Sequence, residues 1–254
     1  MKAVANLQMA RARSLPFAPL SFGMRMLLAF VLFTSGAPAV SAQVGHPPRS
    51  SPYRDIRKGH TFTVLGGYFS GDGGQFNIGP HDAGVFGVRY DIRTGSTIQF
   101  GLGIAHGNLK RFIVDPFVPL ANRRTGPVRQ SVTFADVTLQ FNITGGKSWH
   151  RIAPFVAASS GLALAGDTPA DTSGYDFGRK FYLAPAAGVR VFLSDRLHLR
   201  AEARATFWKL NYPATFQAAP VAEPTTPALI TDGKLSEWTT SSWLQVGLGY
   251  SFSP

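Results

Sequence analysis

Between Leu197 and Phe207 every second residue is apolar. Leu197, Leu199, Ala201, Ala203, Ala205 and Phe207 alternate with His198, Arg200, Glu202, Arg204 and Thr206. Leu, Ala, Arg and Glu are good helix formers, but their order contradicts a helix. A period of two would be smeared around a helix, whereas a strand collects all the apolar groups on one face. A strand with Arg, Glu and Arg on one face and only apolar groups on the other has two uses. It is half-buried with its charges in water, or its charges are enclosed and its apolar face meets a medium that is not water.

The rest of the chain decides between them. The same alternation recurs over about 61–70, 83–92, 96–106, 131–143, 151–165, 180–193 and 239–252, giving eight segments in all. Each is bounded by turn chemistry such as "RTGS", "TGGKSWH" or "SDR". A strand crossing a bilayer at a tilt needs about 9–11 residues, so these are long enough. The connections after segments two, four and six are short. Those after one, three, five and seven are long, which is the rhythm of an up-and-down barrel set in a membrane.

None of the apolar faces carries a charge. Arg89, Asp136, Arg190, His198, Arg200, Glu202 and Arg204 all fall on the other face. A soluble barrel inverts this arrangement, with apolar groups inside. The sequence therefore predicts an all-β fold, an eight-stranded antiparallel up-and-down transmembrane β-barrel over residues 61–252. Closure lets every backbone polar group find a partner where there is no water. With the N-terminus inside, Phe62, Tyr90, Phe100, Phe141, Tyr250 and Phe252 make one aromatic girdle. Tyr68, Phe86, Phe181 and Phe207 make the other.

Charged residues are 15% of the chain, against about 25% in soluble domains, which fits a chain with little surface in water. Arg25, the apolar run Met26–Phe33 and the small residues before Gln43 read as a signal peptide over 1–42, started at Met24 and cut after Ala42. Residues 43–60, with Pro47, Pro48 and Pro52, read as an extended periplasmic tail. The first 42 residues hold four of the 25 basic side chains and none of the 14 acids, so the exported chain carries +7. An exported basic chain meets anionic lipid rather than nucleic acid. The absence of Cys excludes disulfides and thiolate metal sites.

At this point the sequence resembles the small eight-stranded outer-membrane β-barrels, the OmpA/OmpX-like proteins. The likeness covers about residues 60–252 and includes the ending "WLQVGLGYSF", which resembles the signal read by the barrel-assembly machinery. Ser253 and Pro254 follow Phe252, where the family pattern closes on the aromatic residue. The resemblance implies export to the outer membrane of a Gram-negative cell, a porin-like architecture and a monomer among outer-membrane lipids.

Eight strands enclose an interior just wide enough for side chains. The inward charges Arg89, Asp136, Arg190, Arg200, Glu202 and Arg204 are therefore expected to form a network plugging the lumen. Glu202 and Asp136 are its expected acids. The segment Gly107–Arg129 is expected as a long outer loop. Its Lys110, Arg111, Arg123, Arg124 and Arg129 are expected to meet lipopolysaccharide phosphates. The function expected is a structural or interaction role at the cell surface. Two other readings stay open, a narrow anion-preferring pore and a lipid A-modifying enzyme. The second needs a Ser and an acid beside His106, and the sequence offers neither, so no catalytic residue is assigned. The His residues lack metal spacing and the glycines form no phosphate loop, so no cofactor is expected.

Overall fold

The computed structural model describes residues 51–220 and 226–253; the signal-peptide reading over 1–42 and the first part of the tail lie outside them. Ten strands follow one another: β1 (Tyr53–Asp55), β2 (His60–Gly71), β3 (Ala83–Arg93), β4 (Ile98–Val114), β5 (Arg124–Asn142), β6 (Lys147–Trp149), β7 (Ile152–Ala165), β8 (Arg179–Phe192), β9 (Leu197–Asn211) and β10 (Ser236–Phe252). Eight of them pair antiparallel with their chain neighbours. The first of these, β2, pairs with the last, β10, and closes the barrel. The remaining two, β1 and β6, pair only at the short-turn end, with Tyr53 opposite Trp149 and Asp55 opposite Lys147. The last part of the tail is therefore tied to a turn by a short ladder.

Short turns at residues 94–97 and 193–196 alternate with longer connections at 72–82, 166–178 and 212–235. The segment Gly107–Arg129 departs from the expected long loop. Strand β4 continues to Val114 and β5 starts at Arg124, so only residues 115–123 connect them. The ladder passes through Lys110 opposite Arg129 and Arg111 opposite Val128. It then shifts register between Arg111 and Ile113. Charged and aromatic residues mixed on these extensions hide the alternation, while backbone pairing carries the strands on.

Outward positions make an apolar belt. Phe86 is 72% exposed, Val246 65% and Leu102 60%. Phe62 stands in register with Tyr90 on one side and Tyr250 on the other, which places three girdle aromatics in one row. No helix among the described residues is long and apolar enough to cross a membrane.

Large inward side chains are matched by inward glycines across the ladders. Gly103 lies between Arg89 and Asp136, Gly249 between Thr63 and His198, and Gly247 between Leu65 and Arg200. A Cβ on Gly101 would come within 2.4 Å of Asp91 Oδ1 and 2.6 Å of Arg89 Nη2. Glycine there leaves room for the Arg89–Asp91 pair beside the backbone.

Candidate functional site

Strand β9 supplies the centre of the lumen. His198, Arg200, Glu202, Arg204, Thr206 and Trp208 point inward at two-residue steps and all are buried. Arg200 Nε donates to Glu202 Oε2 at 2.9 Å, and its Nη1 crosses to Gln140 Oε1 at 2.8 Å. Arg204 Nε donates to Glu202 Oε1, and its Nη1 reaches Asp136 Oδ2 at 2.9 Å. Gln245 Nε2 also donates to Glu202 at 2.9 Å. Asp136 accepts from Tyr182 OH and from Thr138 Oγ1, each at 3.0 Å. Two carboxylates and two guanidiniums from β5 and β9 thus join in one chain, with most lone pairs occupied. Such pairing is the condition for burying charge.

Two of the six expected lumen residues lie outside that chain. Arg89 pairs with Asp91 through its Nε at 2.8 Å. Asp91 is 3% exposed and is a third inward acid, which corrects the expectation that Glu202 and Asp136 were alone. Parity was sufficient to find it, since Asp91 lies two residues beyond Arg89 on the same strand. Arg190 donates from Nη2 to Asn142 Oδ1 at 2.8 Å. Its register partner on β9 is Arg200, a like charge.

Toward the long-loop end the interior changes character. Phe69, Phe134, Tyr182, Trp208 and Trp243 are buried together. Ring centroids are 5.4 Å apart for Phe69–Trp208 and 5.1 Å for Phe134–Trp243. Loop residues Ile78, Tyr175, Phe177, Tyr212, Phe216 and Ile230 extend this cluster over the mouth. The sequence reading passed over it, although Phe69, Phe134 and Trp243 all have inward parity. Burial pushes the Tyr175 and Tyr212 phenols well above their ordinary value, and Glu237, accepting from the Tyr212 hydroxyl, adds to the second.

The five basic residues expected at the outer surface divide. Arg111 is 1% exposed and forms an ion pair with Asp171 at 2.6 Å. Arg123 is 4% exposed and donates to the Pro227 carbonyl at 2.9 Å and the Val118 carbonyl at 3.3 Å. Both are turned into the mouth, where burial requires them to find oxygen acceptors. Lys110, Arg124 and Arg129 are exposed, and Arg124 lies over the Phe112 ring at 3.9 Å. The His106 ring is exposed and bonded to Thr133 Oγ1 at 3.0 Å. Among the described residues no group of three or more His, Asp or Glu is placed to hold a metal.

No family model and no curated protein matches the chain. Among solved structures the chain is similar to Neisserial surface protein A, at 10% identity over 76% of this chain and 97% of that one, with a TM-score of 0.48. It is similar to the outer membrane protein OprG from Pseudomonas aeruginosa, at 13% identity over 78% and 98%, TM-score 0.46. It is also similar to Ail, the attachment invasion locus protein of Yersinia pestis, at 13% identity over 77% and 99%, TM-score 0.38.

Proposed function

We propose that the chain is an integral β-barrel protein of the bacterial outer membrane. Its role there is structural or interactive, and its lumen is plugged. The observation that carries this reading is the inversion of the barrel: charges lie inside, and a belt of exposed apolar side chains lies outside. Apolar patches of that extent do not persist in water. Ion pairs at one level and stacked rings at the next support closure of the lumen. A conserved-volume interior of eight strands has no room for both and a channel.

The orientation is tested by placing Arg at Leu248, which is 47% exposed in the belt. Near a bilayer midplane the substitution costs about 2–4 kcal/mol, read as a loss of folding into lipid vesicles. Unimpaired folding argues against the belt. Planar-bilayer recording of the purified protein tests the plug: discrete current steps restore the anion-preferring pore.

The exposed trio Lys110, Arg124 and Arg129, beside Phe112, favours contact with lipopolysaccharide phosphates at the long-loop end. Basic side chains near an anionic surface gain about 1 kcal/mol each. Affinity for lipopolysaccharide should fall with salt and with Arg124→Ala plus Arg129→Ala. Arg123→Ala should affect the mouth rather than the headgroup contact. Affinity indifferent to salt and to the double substitution removes this contact.

A further inference from the structure

The charge inventory of the barrel interior does not balance. Arg89, Arg190, Arg200 and Arg204 are buried against Asp91, Asp136 and Glu202. Four guanidiniums face three carboxylates, and Arg204 and Arg200 between them occupy Glu202 and Asp136. One positive charge is left over, and Arg190 carries it. No carboxylate lies within ion-pair distance of Arg190 among the described residues, and its register partner on β9 is another cation, Arg200. A fifth guanidinium, Arg93 on β3, is only half-buried and donates to the Ile56 carbonyl, so it stands outside this buried count.

The same region holds donors that nothing satisfies. Arg190 Nε, Arg89 Nη1 and Nη2, and Asn142 Nδ2 are all buried without a hydrogen-bond partner. Arg89 is 1% exposed and Arg190 3%. Next to them His198 Nδ1 is also without a partner. Protein interiors do not tolerate a row of bare donors around an unpaired cation. Water alone satisfies donors, but it leaves the charge. A small anion satisfies both.

We propose that the short-turn half of the lumen binds one small monovalent anion, chloride in the cell, held by the free Nε of Arg190 and the Asn142 amide bonded beside it. Among the fully buried side chains one negative charge restores neutrality, which fits a monovalent ion. The ion replaces the missing carboxylate and lets Arg190 stand in register with Arg200. It is a resident part of the plug rather than cargo. The inference therefore rests on the closed lumen proposed above.

Bromide is the probe, because it substitutes for chloride and scatters X-rays anomalously. Crystals of the detergent-solubilised barrel grown in sodium bromide should show a single lumen peak within hydrogen-bond distance of Arg190 and Asn142. Thermal unfolding should rise by about 3 °C between 10 and 150 mM chloride at an ionic strength fixed with gluconate, which is too large for the site. Arg190→Met removes the surplus charge at similar volume. The variant should lose the halide dependence and the peak. A lumen without bromide, or a peak and a halide dependence that survive in Arg190→Met, overturns the assignment. Conductance in planar bilayers tests closure independently, so an open pore and an empty site are told apart.

Discussion

Arg204 and Trp208 stand two inward steps apart on one strand, yet they belong to different kinds of interior. Around Arg204 the side chains are tied by directed bonds, and each carboxylate oxygen answers a particular donor. Around Trp208 the contacts are ring on ring, with Phe69 stacked at 5.4 Å and Phe177 edge-on at 5.4 Å. Ion pairs depend on every member being present, because a lone buried charge is costly. Ring packing depends on volume and loses stability in proportion to the space vacated. The first layer fixes which strands face one another. The second fills the barrel where the loops enter.

Removing one member should harm both layers, and the routes to rescue should separate them. Glu202→Ala strips Arg200 and Arg204 of their shared acid and should cost about 3–5 kcal/mol, read as a lower urea midpoint in lipid vesicles. Much of that loss should be regained when Arg200→Met and Arg204→Met are added with Asp136→Asn, since apolar groups of similar volume replace buried ion pairs with little loss. A quadruple variant as weak as Glu202→Ala would show that the charges contribute net stability.

Trp208→Ala should cost about 3–5 kcal/mol through the cavity it leaves. No removal of charge should restore it. Recovery of Trp208→Ala by a charge-neutralising change would mean that the two layers act as one.

Gly101→Ala tests the boundary more gently. Its new Cβ would press on the Asp91 carboxylate and the Arg89 guanidinium paired with it, and overpacking of this kind costs about 1–3 kcal/mol. Gly95→Ala in a turn, where a Cβ meets nothing within 4 Å, should lie within about 0.5 kcal/mol of wild type. Equal midpoints for the two variants would show that Arg89 moves aside freely.

The smallest effect belongs to the mouth. The raised phenols of Tyr175 and Tyr212 stay protonated in the folded state after the unfolded chain has begun to ionise. The unfolded state then binds fewer protons, so stability falls as pH rises. The loss should begin near the ordinary phenol value of about 10 and continue through the raised values. Tyrosine absorbance during alkaline titration should show two phenols ionising together with loop opening. Ionisation of both at the ordinary value would remove the effect.

Alternation made the barrel readable from sequence, because a period of two survives in each strand and charges do not cross to the apolar face within the belt. It also placed Arg200, Glu202 and Arg204 inside. Pairing was not readable. Which acid meets Arg89 depends on side-chain reach within the lumen, and Asp91 is at hand on the same strand. The outer extents of β4 and β5 were hidden as well. Above the belt, outward residues meet water and need not be apolar, so Lys110 and Arg129 can face each other on a regular ladder without leaving a hydrophobic trace. The withdrawal of Arg111 and Arg123 follows from Asp171 and the Pro227 carbonyl, which come from distant parts of the chain, with the Val118 carbonyl of the same connection adding to the second.

The placement of inward glycines beside the charged side chains has a consequence for how such a sequence can change. Gly103 is flanked by Arg89 and Asp136, and Gly249 by His198 and Thr63. The wall concedes at one strand the space that a neighbour occupies. A bulkier residue at the glycine is accommodated only when the neighbouring strand shortens its side chain in the same step. Substitutions in the interior of this barrel therefore travel in compensating pairs across a ladder, while those on the belt are free to come one at a time.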